Sequence, residues 1–175
     1  MEELSMTSDH EVQSRKIRVP LHRFRPLKKE WRNIYDLVSE NMKINIRMNL
    51  KTRFVELKTR PEDHNSQRLM KCGDFVRAFI LGFGVDDAKT LLQNNDVYVL
   101  YFEFTDKNKL KSLGYCKQIQ DVESSTKTSI VIEGHKFHIL GTFSGINAAT
   151  NAICHLILES STGIVDSNPT LTSKL

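Results

Sequence analysis

Residues 128–158, TSIVIEGHKFHILGTFSGINAATNAICHLIL, contain the pattern that decides the fold of this chain. Residues 129–132 and 136–140 are rich in β-branched and other apolar side chains, which is typical of strands. The three residues 133–135 between them, Glu-Gly-His, suit a tight turn. The stretch therefore begins with a predicted β-hairpin.

A predicted helix follows the hairpin at once. Apolar residues recur at helical spacing over residues 145–158, and one face carries Ile146, Ala149, Ile153 and Leu156. Ser144 is the expected N-cap, because its hydroxyl can accept a hydrogen bond from a free backbone N–H. Strand, turn, strand and helix resemble the second half of a KH-type RNA-binding module. The GxxG loop with which such modules clamp a nucleic-acid backbone occurs nowhere in the chain.

The first half of the chain shows the same order of elements. They are a strand over 16–20, a helix after Pro26, a hairpin over 44–50 and 54–58, and a helix capped by Ser66 that ends at Gly82 and Gly84. A short helix, residues 85–93, leads to the strand 97–104 that opens the second copy. The repetition predicts an α+β fold of two tandem KH-like modules of type I, β-α-α-β-β-α, the second shortened and without GxxG. The expected domains are a disordered leader 1–14, modules 15–94 and 95–159, and a flexible tail 160–175.

Core positions follow from the same periodicities. Leu27, Trp31, Ile34 and Val38 share a helix face, and Ile44, Ile46 and Met48 alternate with an outward Arg47. Trp31 and Phe75 are expected as core anchors and not as stacking platforms for bases. In the second module Ile119 and Ile130 are expected in the core, with the lining of a residual groove as the alternative.

Composition excludes several classes. With 175 residues, 39% hydrophobic and 26% charged, the chain can bury one good core or two small ones, and nothing in it indicates a fibre or a membrane span. Cys72, Cys116 and Cys154 are scattered without a C-x-x-C pair, and no signal peptide opens the chain, so a reducing interior and a packing role are expected.

The net charge of +4 conceals an asymmetry. Residues 15–60 contain fourteen Lys or Arg and four acids, a formal charge of +10, whereas residues 1–14 carry −4 and residues 61–175 carry −2. A basic first half suggests an anionic partner, nucleic acid before membrane. A solvated basic surface is the alternative.

Seven short segments resemble, in order, motifs of the tandem-KH family of small-subunit ribosome assembly factors known as Partner of Nob or Dim-two. They are 15–20 (RKIRVP, beside the family's RKIPVP), 26–31 (PLKKEW, PLKENW), 46–53 (IRMNLKTR, IRFNLKSR), 74–83 (DFVRAFILGF, DFVKAFILGF), 102–106 (FEFTD, FEITD), 138–141 (HILG) and 152–158 (AICHLIL, AICNLIL). The resemblance covers about residues 15–158. It identifies the chain as a divergent, shortened member of this family.

The resemblance implies an RNA-binding assembly factor that binds pre-rRNA near the 3′ end of the small-subunit rRNA and supports its processing. Pre-ribosomal proteins and the Nob-type endonuclease are the implied partners, and the nucleus and nucleolus, with shuttling to the cytoplasm on the pre-small subunit, the implied location. The resemblance implies no enzyme, cofactor, metal, membrane or small-molecule substrate.

Two departures bear on the site. Where the family has GKGGKT in its second module, residues 113–118 here read LGYCKQ in a shorter segment, and residues 159–175 are Ser/Thr-rich with one lysine where the family is basic. The expected RNA contact therefore lies in the first module. The candidates there are Arg47, Lys51 and Arg53 around the hairpin and Arg15, Lys16, Arg18, Arg23, Arg25, Lys28 and Lys29 before it; Lys117 and Lys127 are the candidates in the second module.

Other functions are less well supported. Gly82-Phe83-Gly84 has Asp87 where a dinucleotide fingerprint needs its third glycine, and no P-loop, G-x-S-x-G or H-E-x-x-H is present. His138 has no second ligand at metal spacing, so a packed or surface histidine is expected. A protein-interaction scaffold in pre-ribosomal particles, with little RNA contact, remains the alternative, and a KRR-type KH factor is disfavoured because no KRR run appears.

Overall fold

The computed structural model describes residues 12–62, 65–104 and 117–159. The chain divides into two compact units, residues 1–80 and 81–175. The expected leader up to residue 11 and the expected tail 160–175 lie outside the described residues, as do residues 113–116 of the segment that replaces GKGGKT. Ser14, which the predicted leader included, is the first residue of a strand.

The first unit contains one three-stranded sheet and its helices. The elements are β1 (Ser14–Arg18), α1 (Leu21–Tyr35), a π-helical turn (Asp36–Asn41), β2 (Asn45–Asn49), β3 (Phe54–Lys58) and α2 (Ser66–Leu81). The strands are antiparallel in the order β1-β3-β2, so the last strand of the unit lies in the middle.

Helix α1 begins at Leu21, so the predicted start after Pro26 was wrong. Pro26 lies inside the helix, where it lacks the N–H that would bond to the carbonyl of His22. His22 is exposed, so water can satisfy that carbonyl, and burial of Leu27 and Ile34 farther along holds the helix together. The predicted apolar face is confirmed for Leu27, Ile34 and Val38, which are fully buried, while Trp31 is only half-buried.

The first hairpin and α2 agree with their patterns except at the cap. Ile44 and Ile46 are buried, Met48 is half-buried and Arg47 faces outward. Phe75 of α2 is fully buried, as expected. The N-cap of α2 is Asn65 and not Ser66, because Asn65 Oδ1 accepts a hydrogen bond from the N–H of Arg68 at 3.0 Å.

The second unit repeats the order strand, helix, hairpin, helix. Its elements are α3 (Val85–Gln93), β4 (Val97–Glu103), α4 (Lys117–Thr126), β5 (Ser129–Glu133), β6 (Lys136–Thr142) and α5 (Phe143–Glu159). The strands are antiparallel in the order β4-β6-β5, which corresponds to β1-β3-β2. The predicted α+β class and the hairpin are confirmed. The module boundary after residue 94 stays a prediction.

The core of the second unit lies between β6 and the helices α4 and α5. Phe137 and Ile139 of β6 pack with Ile119 and Val122 of α4 and with a buried stripe on α5, consisting of Ile146, Ala149, Ile153 and Ile157. The stripe is the predicted one except that Leu156 is half-buried. Helix α5 starts at Phe143, so Ser144 is not the N-cap. Thr142 Oγ1 accepts from the N–H of Gly145 at 3.3 Å and takes that role.

Across the part of the chain that the structure describes, no helix is both long enough and apolar enough to cross a bilayer.

Candidate nucleic-acid interface

The outer face of the first sheet carries most of the charge of its strands. Ile17, Ile46, Val55 and Leu57 point inward and are buried, so the residues that alternate with them point outward. The sheet register arranges these outward residues in three cross-strand rows, Ser14 with Lys58 and Asn45, Lys16 with Glu56 and Arg47, and Arg18 with Phe54 and Asn49. Four cations surround one carboxylate, which gives the surface a formal charge of +3. We call it the cationic face.

Glu56 is the only acid of the cationic face, and it is paired. Arg47 Nη2 donates to Glu56 Oε2 at 2.7 Å, and Asn49 Nδ2 donates to Glu56 Oε1 at 3.4 Å. The hydrogen bond from Arg47 is the main reason why the pKa of Glu56 lies below its ordinary value. The carboxylate is thus ionised at neutral pH and orders Arg47, whose side chain remains 72% exposed. The other three cations of the face are exposed at the residue level.

The β2–β3 turn places two further cations at one end of this face. The backbone N–H groups of Lys51 and Thr52 donate to Asn49 Oδ1 at 3.2 and 3.1 Å, and Arg53 N–H donates to the Asn49 carbonyl at 2.9 Å. Val19 N–H donates to the Arg53 carbonyl at 2.9 Å, which ties the turn to the end of β1 beside Arg18. Lys51 and Arg53, which we call the basic turn, are both exposed.

The predicted cations of the entry segment separate into two groups. Lys16 and Arg18 lie on the cationic face, and Arg25, Lys28 and Lys29 are exposed on α1, where the Lys28 ammonium lies 5.2 Å from the ring centre of Phe24. Arg15 and Arg23 are instead engaged inside the first unit, and the two form the second group.

Arg15 crosses α2 at Gly73, where Nη1 donates to the Met70 carbonyl at 3.0 Å and Nη2 lies 3.4 Å from Asp74 Oδ1. A glycine is needed at position 73 because a Cβ there would overlap the guanidinium. Arg23 Nη2 donates to the Phe79 carbonyl at 2.7 Å, and its guanidinium lies 5.5 Å from the Phe79 ring centre. These two arginines join β1 and α1 to α2, which accounts for them structurally.

The second unit offers fewer cations. Lys117 is exposed at the first residue of α4, and Lys127 is exposed in the turn before β5. Ile119 and Ile130 do line a groove between α4 and β5, of about 310 Å³, together with Gln120 and Glu123. Ile119 is buried and Ile130 half-buried, so both the core reading and the groove reading apply. Glu123 Oε1 accepts from the N–H of Ile130 at 2.6 Å, which puts a carboxylate in the groove.

His138 and the cysteines have packing roles. His138 is buried on β6 at 5.8 Å from the Tyr101 ring centre, and burial lowers its pKa. Burial raises the pKa of the Cys72 thiol to about 12 and also raises the pKa of Cys154. Within the described ranges, no group of three or more His, Cys, Asp or Glu residues could hold a metal ion.

Sequence reasoning missed Lys58 and Phe54. The alternation of β3 exposes Lys58 and half-exposes Phe54, but only the pairing of β3 between β1 and β2 brings them to the centre of the cationic face.

Three comparisons with known proteins bear on this surface. A family model for the second KH domain of PNO1 proteins, described as "Eukaryotic type KH-domain (KH-domain type I)", matches residues 113–173. The chain is 40% identical over 174 residues to "RNA-binding protein pno1" of Dictyostelium discoideum, a match that covers 93% of this chain and 73% of that protein. It is 41% identical over 157 residues to "RNA-binding protein PNO1" of Oryzias latipes, covering 83% of this chain and 65% of that protein. The chain thus spans about two thirds of the length of such relatives.

Two solved structures share the fold. Dim2p from Pyrococcus horikoshii OT3 superposes with a TM-score of 0.70 at 23% identity, covering 86% of this chain and 94% of that one. The same archaeal protein in a complex titled a/eIF2alpha-aDim2p-rRNA gives a TM-score of 0.68 at 21% identity, with 88% of each chain covered. The tandem arrangement of strand, helix, hairpin and helix is therefore an arrangement already seen in solved proteins.

Proposed function

Because this chain belongs to the PNO1 family of KH-domain proteins, we propose that it binds pre-ribosomal RNA and supports small-subunit assembly, with the cationic face as its main RNA contact. Relatives in several organisms are named RNA-binding proteins or, as in Candida albicans, "Pre-rRNA-processing protein PNO1". The implied RNA region, near the 3′ end of the small-subunit rRNA, is part of the same proposal.

The observation that carries the proposal is the charge arrangement on the first sheet. Lys16, Arg18 and Lys58 are exposed, and Glu56 is already paired with Arg47. The basic turn extends this charge at one end of the sheet. A duplex or a single strand of RNA presents a line of phosphates, and lysine and arginine side chains that neutralise phosphates release counterions. A cationic surface without a GxxG loop suits contact with the RNA backbone more than readout of bases.

Charge reversal with a matched control tests this assignment. Lys16→Glu, Arg18→Glu and Lys58→Glu combined should weaken binding to fragments of the 3′ region of the small-subunit rRNA. On single-stranded fragments the slope of log K against log salt should flatten by roughly 2, at about 0.7 for each lost phosphate contact. The matched variant reverses Arg32, Lys43 and Arg77, three exposed cations away from the cationic face. It carries the same net charge, so an equal loss in both variants would refute the assignment.

Partners and location follow the same reasoning. We infer pre-ribosomal proteins, including the Nob-type endonuclease, as partners, and the nucleus and nucleolus as the location, with export on the pre-small subunit. Catalysis by this chain is not part of the proposal, because its relatives are named for RNA binding and processing and the sequence contains none of the searched catalytic motifs. Immunoprecipitation followed by sequencing of bound precursors would test the RNA and the particle together.

A protein-interaction scaffold is the second candidate function, favoured by the missing GxxG and by Glu123 in the α4–β5 groove. A scaffold should still co-purify with pre-ribosomal particles after the charge reversals and mild RNase treatment. An RNA-dependent factor should be lost under both conditions.

A further inference from the structure

A second surface of the first unit, distinct from the cationic face, is a groove between α1 and β2. Lys28, Trp31 and Tyr35 of α1 form one wall, and residues 46–48 of β2 with Leu50 form the other, around a volume of about 410 Å³. Leu50 is 59% exposed and Tyr35 41% exposed, which is unusual for large apolar side chains on neighbouring elements. We call it the α1–β2 groove.

The groove lies along a free strand edge. β3 pairs with one edge of β2, and within the described residues no strand pairs with the other edge. A free edge offers alternating N–H and C=O groups to an extended chain, and the side chains of that chain would enter a flanking pocket at every second residue. Half-buried Met48 and Trp31 and exposed Leu50 supply apolar contacts for such side chains.

The two ends of the groove carry opposite charges. The chain passes from Tyr35 through the π-helical turn to the start of β2, and Ile44 N–H donates to the Val38 carbonyl at 3.1 Å. Tyr35 therefore lies at the end with Asp36 and Glu40, both exposed. Lys28 lies at the other end, beside Leu50 and the exposed Lys51.

This polarity disfavours a nucleic-acid strand. In a KH module the phosphate clamp follows the first helix, and here that position holds the acid-bearing turn Asp36–Asn41. An RNA backbone lying along the whole groove would bring phosphates against Asp36 and Glu40. A peptide carries charge only where its sequence places it, so it can match one cationic end without meeting the acidic one.

We propose that the α1–β2 groove docks an extended segment of a partner protein, with apolar side chains at alternate positions and acidic side chains at the end that meets Lys28 and Lys51. The segment adds a strand to the free edge of β2. This surface is separate from the proposed RNA contact, so one factor can hold RNA and protein at the same time.

Trp31 is the only tryptophan of the chain and reports directly on the groove. A displayed library of random nine-residue peptides is selected on the full-length protein, and an enriched peptide is synthesised. We expect enriched sequences with alternate apolar residues and acids at one end, and a blue shift of the Trp31 emission on titration. Leu50→Glu should weaken the peptide at least tenfold, whereas Leu21→Glu, an equally conservative change at a 73% exposed leucine outside the groove, should change it less than twofold.

A charge swap tests the polarity. Lys28→Glu should weaken the acid-tipped peptide and should restore binding of the same peptide carrying lysines at that end. A selection that enriches nothing, or a peptide that binds the Leu50 and Leu21 variants equally, overturns the proposal. So does a single-stranded heptanucleotide that shifts the Trp31 emission and displaces the peptide. Leu50→Glu should leave the salt-dependent RNA binding unchanged, so this test and that of the cationic face can fail independently.

Discussion

Arg47 of β2 and Glu56 of β3 stand directly opposite each other in the first sheet, with Arg47 Nη2 2.7 Å from Glu56 Oε2. Lys16 of β1 occupies the same row on the other side of Glu56. One carboxylate thus lies between two cations from different strands. It keeps the central charges of the cationic face together and neutralises part of their charge.

Removing this carboxylate should strengthen RNA binding. Glu56→Gln keeps the shape of the side chain, raises the formal charge of the cationic face from +3 to +4 and frees Arg47. We expect tighter binding at low salt and, on single strands, a slope of log K against log salt steeper by about 0.7. Filter binding over a salt series measures both quantities. Asp86→Asn, an equal charge change at an exposed residue of the second unit, is the control and should leave the slope as it is.

Two glycines with positive φ should respond oppositely to substitution. Gly82 has φ +130°, and a Cβ there would lie 3.0 Å from Val131 Cγ1 of β5. Gly82→Ala should therefore lower the free energy of unfolding by about 1–3 kcal/mol. Gly134, in the β5–β6 turn, has φ +62° and open space around the added atom, so Gly134→Asn should cost only a few tenths of a kcal/mol because asparagine tolerates that conformation. Urea unfolding of both variants decides between these expectations, and equal losses would contradict them.

Cys72 should be inert in the folded protein. Burial raises the pKa of its thiol to about 12, so almost no thiolate exists at neutral pH. Iodoacetamide at pH 7.5 should leave Cys72 unmodified in the native state and alkylate it readily in urea, as followed by mass spectrometry. Cys154, half-buried and with a raised pKa, should react faster than Cys72 but slower than a free thiol. Rapid native alkylation of Cys72 would show that α2 opens locally.

Local patterns were sufficient for the hairpins and for most buried faces, because both depend on the period of the side chains. The start of α1 was missed because Pro26 normally marks a first turn, and here burial of Leu27 and Ile34 outweighs the lost hydrogen bond. Helix α4 was not predicted because its ten residues bury only Ile119 and Val122.

The cationic face could be predicted only in part. Arg47 and Lys16 were identified as cations, but their common row depends on β3 lying between β1 and β2, a non-local pairing that alternation along one strand does not reveal. Trp31 shows the same limit. Its helical spacing placed it correctly on the apolar face, yet its exposure depends on how much of that face β2 covers.

His138 should make stability depend on pH near neutrality. Burial lowers its folded pKa below the ordinary value of 6.5, an effect larger than the opposing attraction of Glu133, and Lys136 lowers it further. The unfolded chain therefore binds a proton that the folded chain resists. Stability from this group is full above pH 6.5 and is lost as the pH falls from 6.5 toward the folded pKa.

The wild-type melting temperature should accordingly fall between pH 7.5 and 5.5. His138→Gln does not titrate and should remove most of that dependence, even if its absolute stability is lower. His155, exposed on α5, provides the matched variant, and His155→Gln should keep the wild-type dependence. Parallel pH profiles for wild type and His138→Gln would mean that another group governs the acid side of the stability curve.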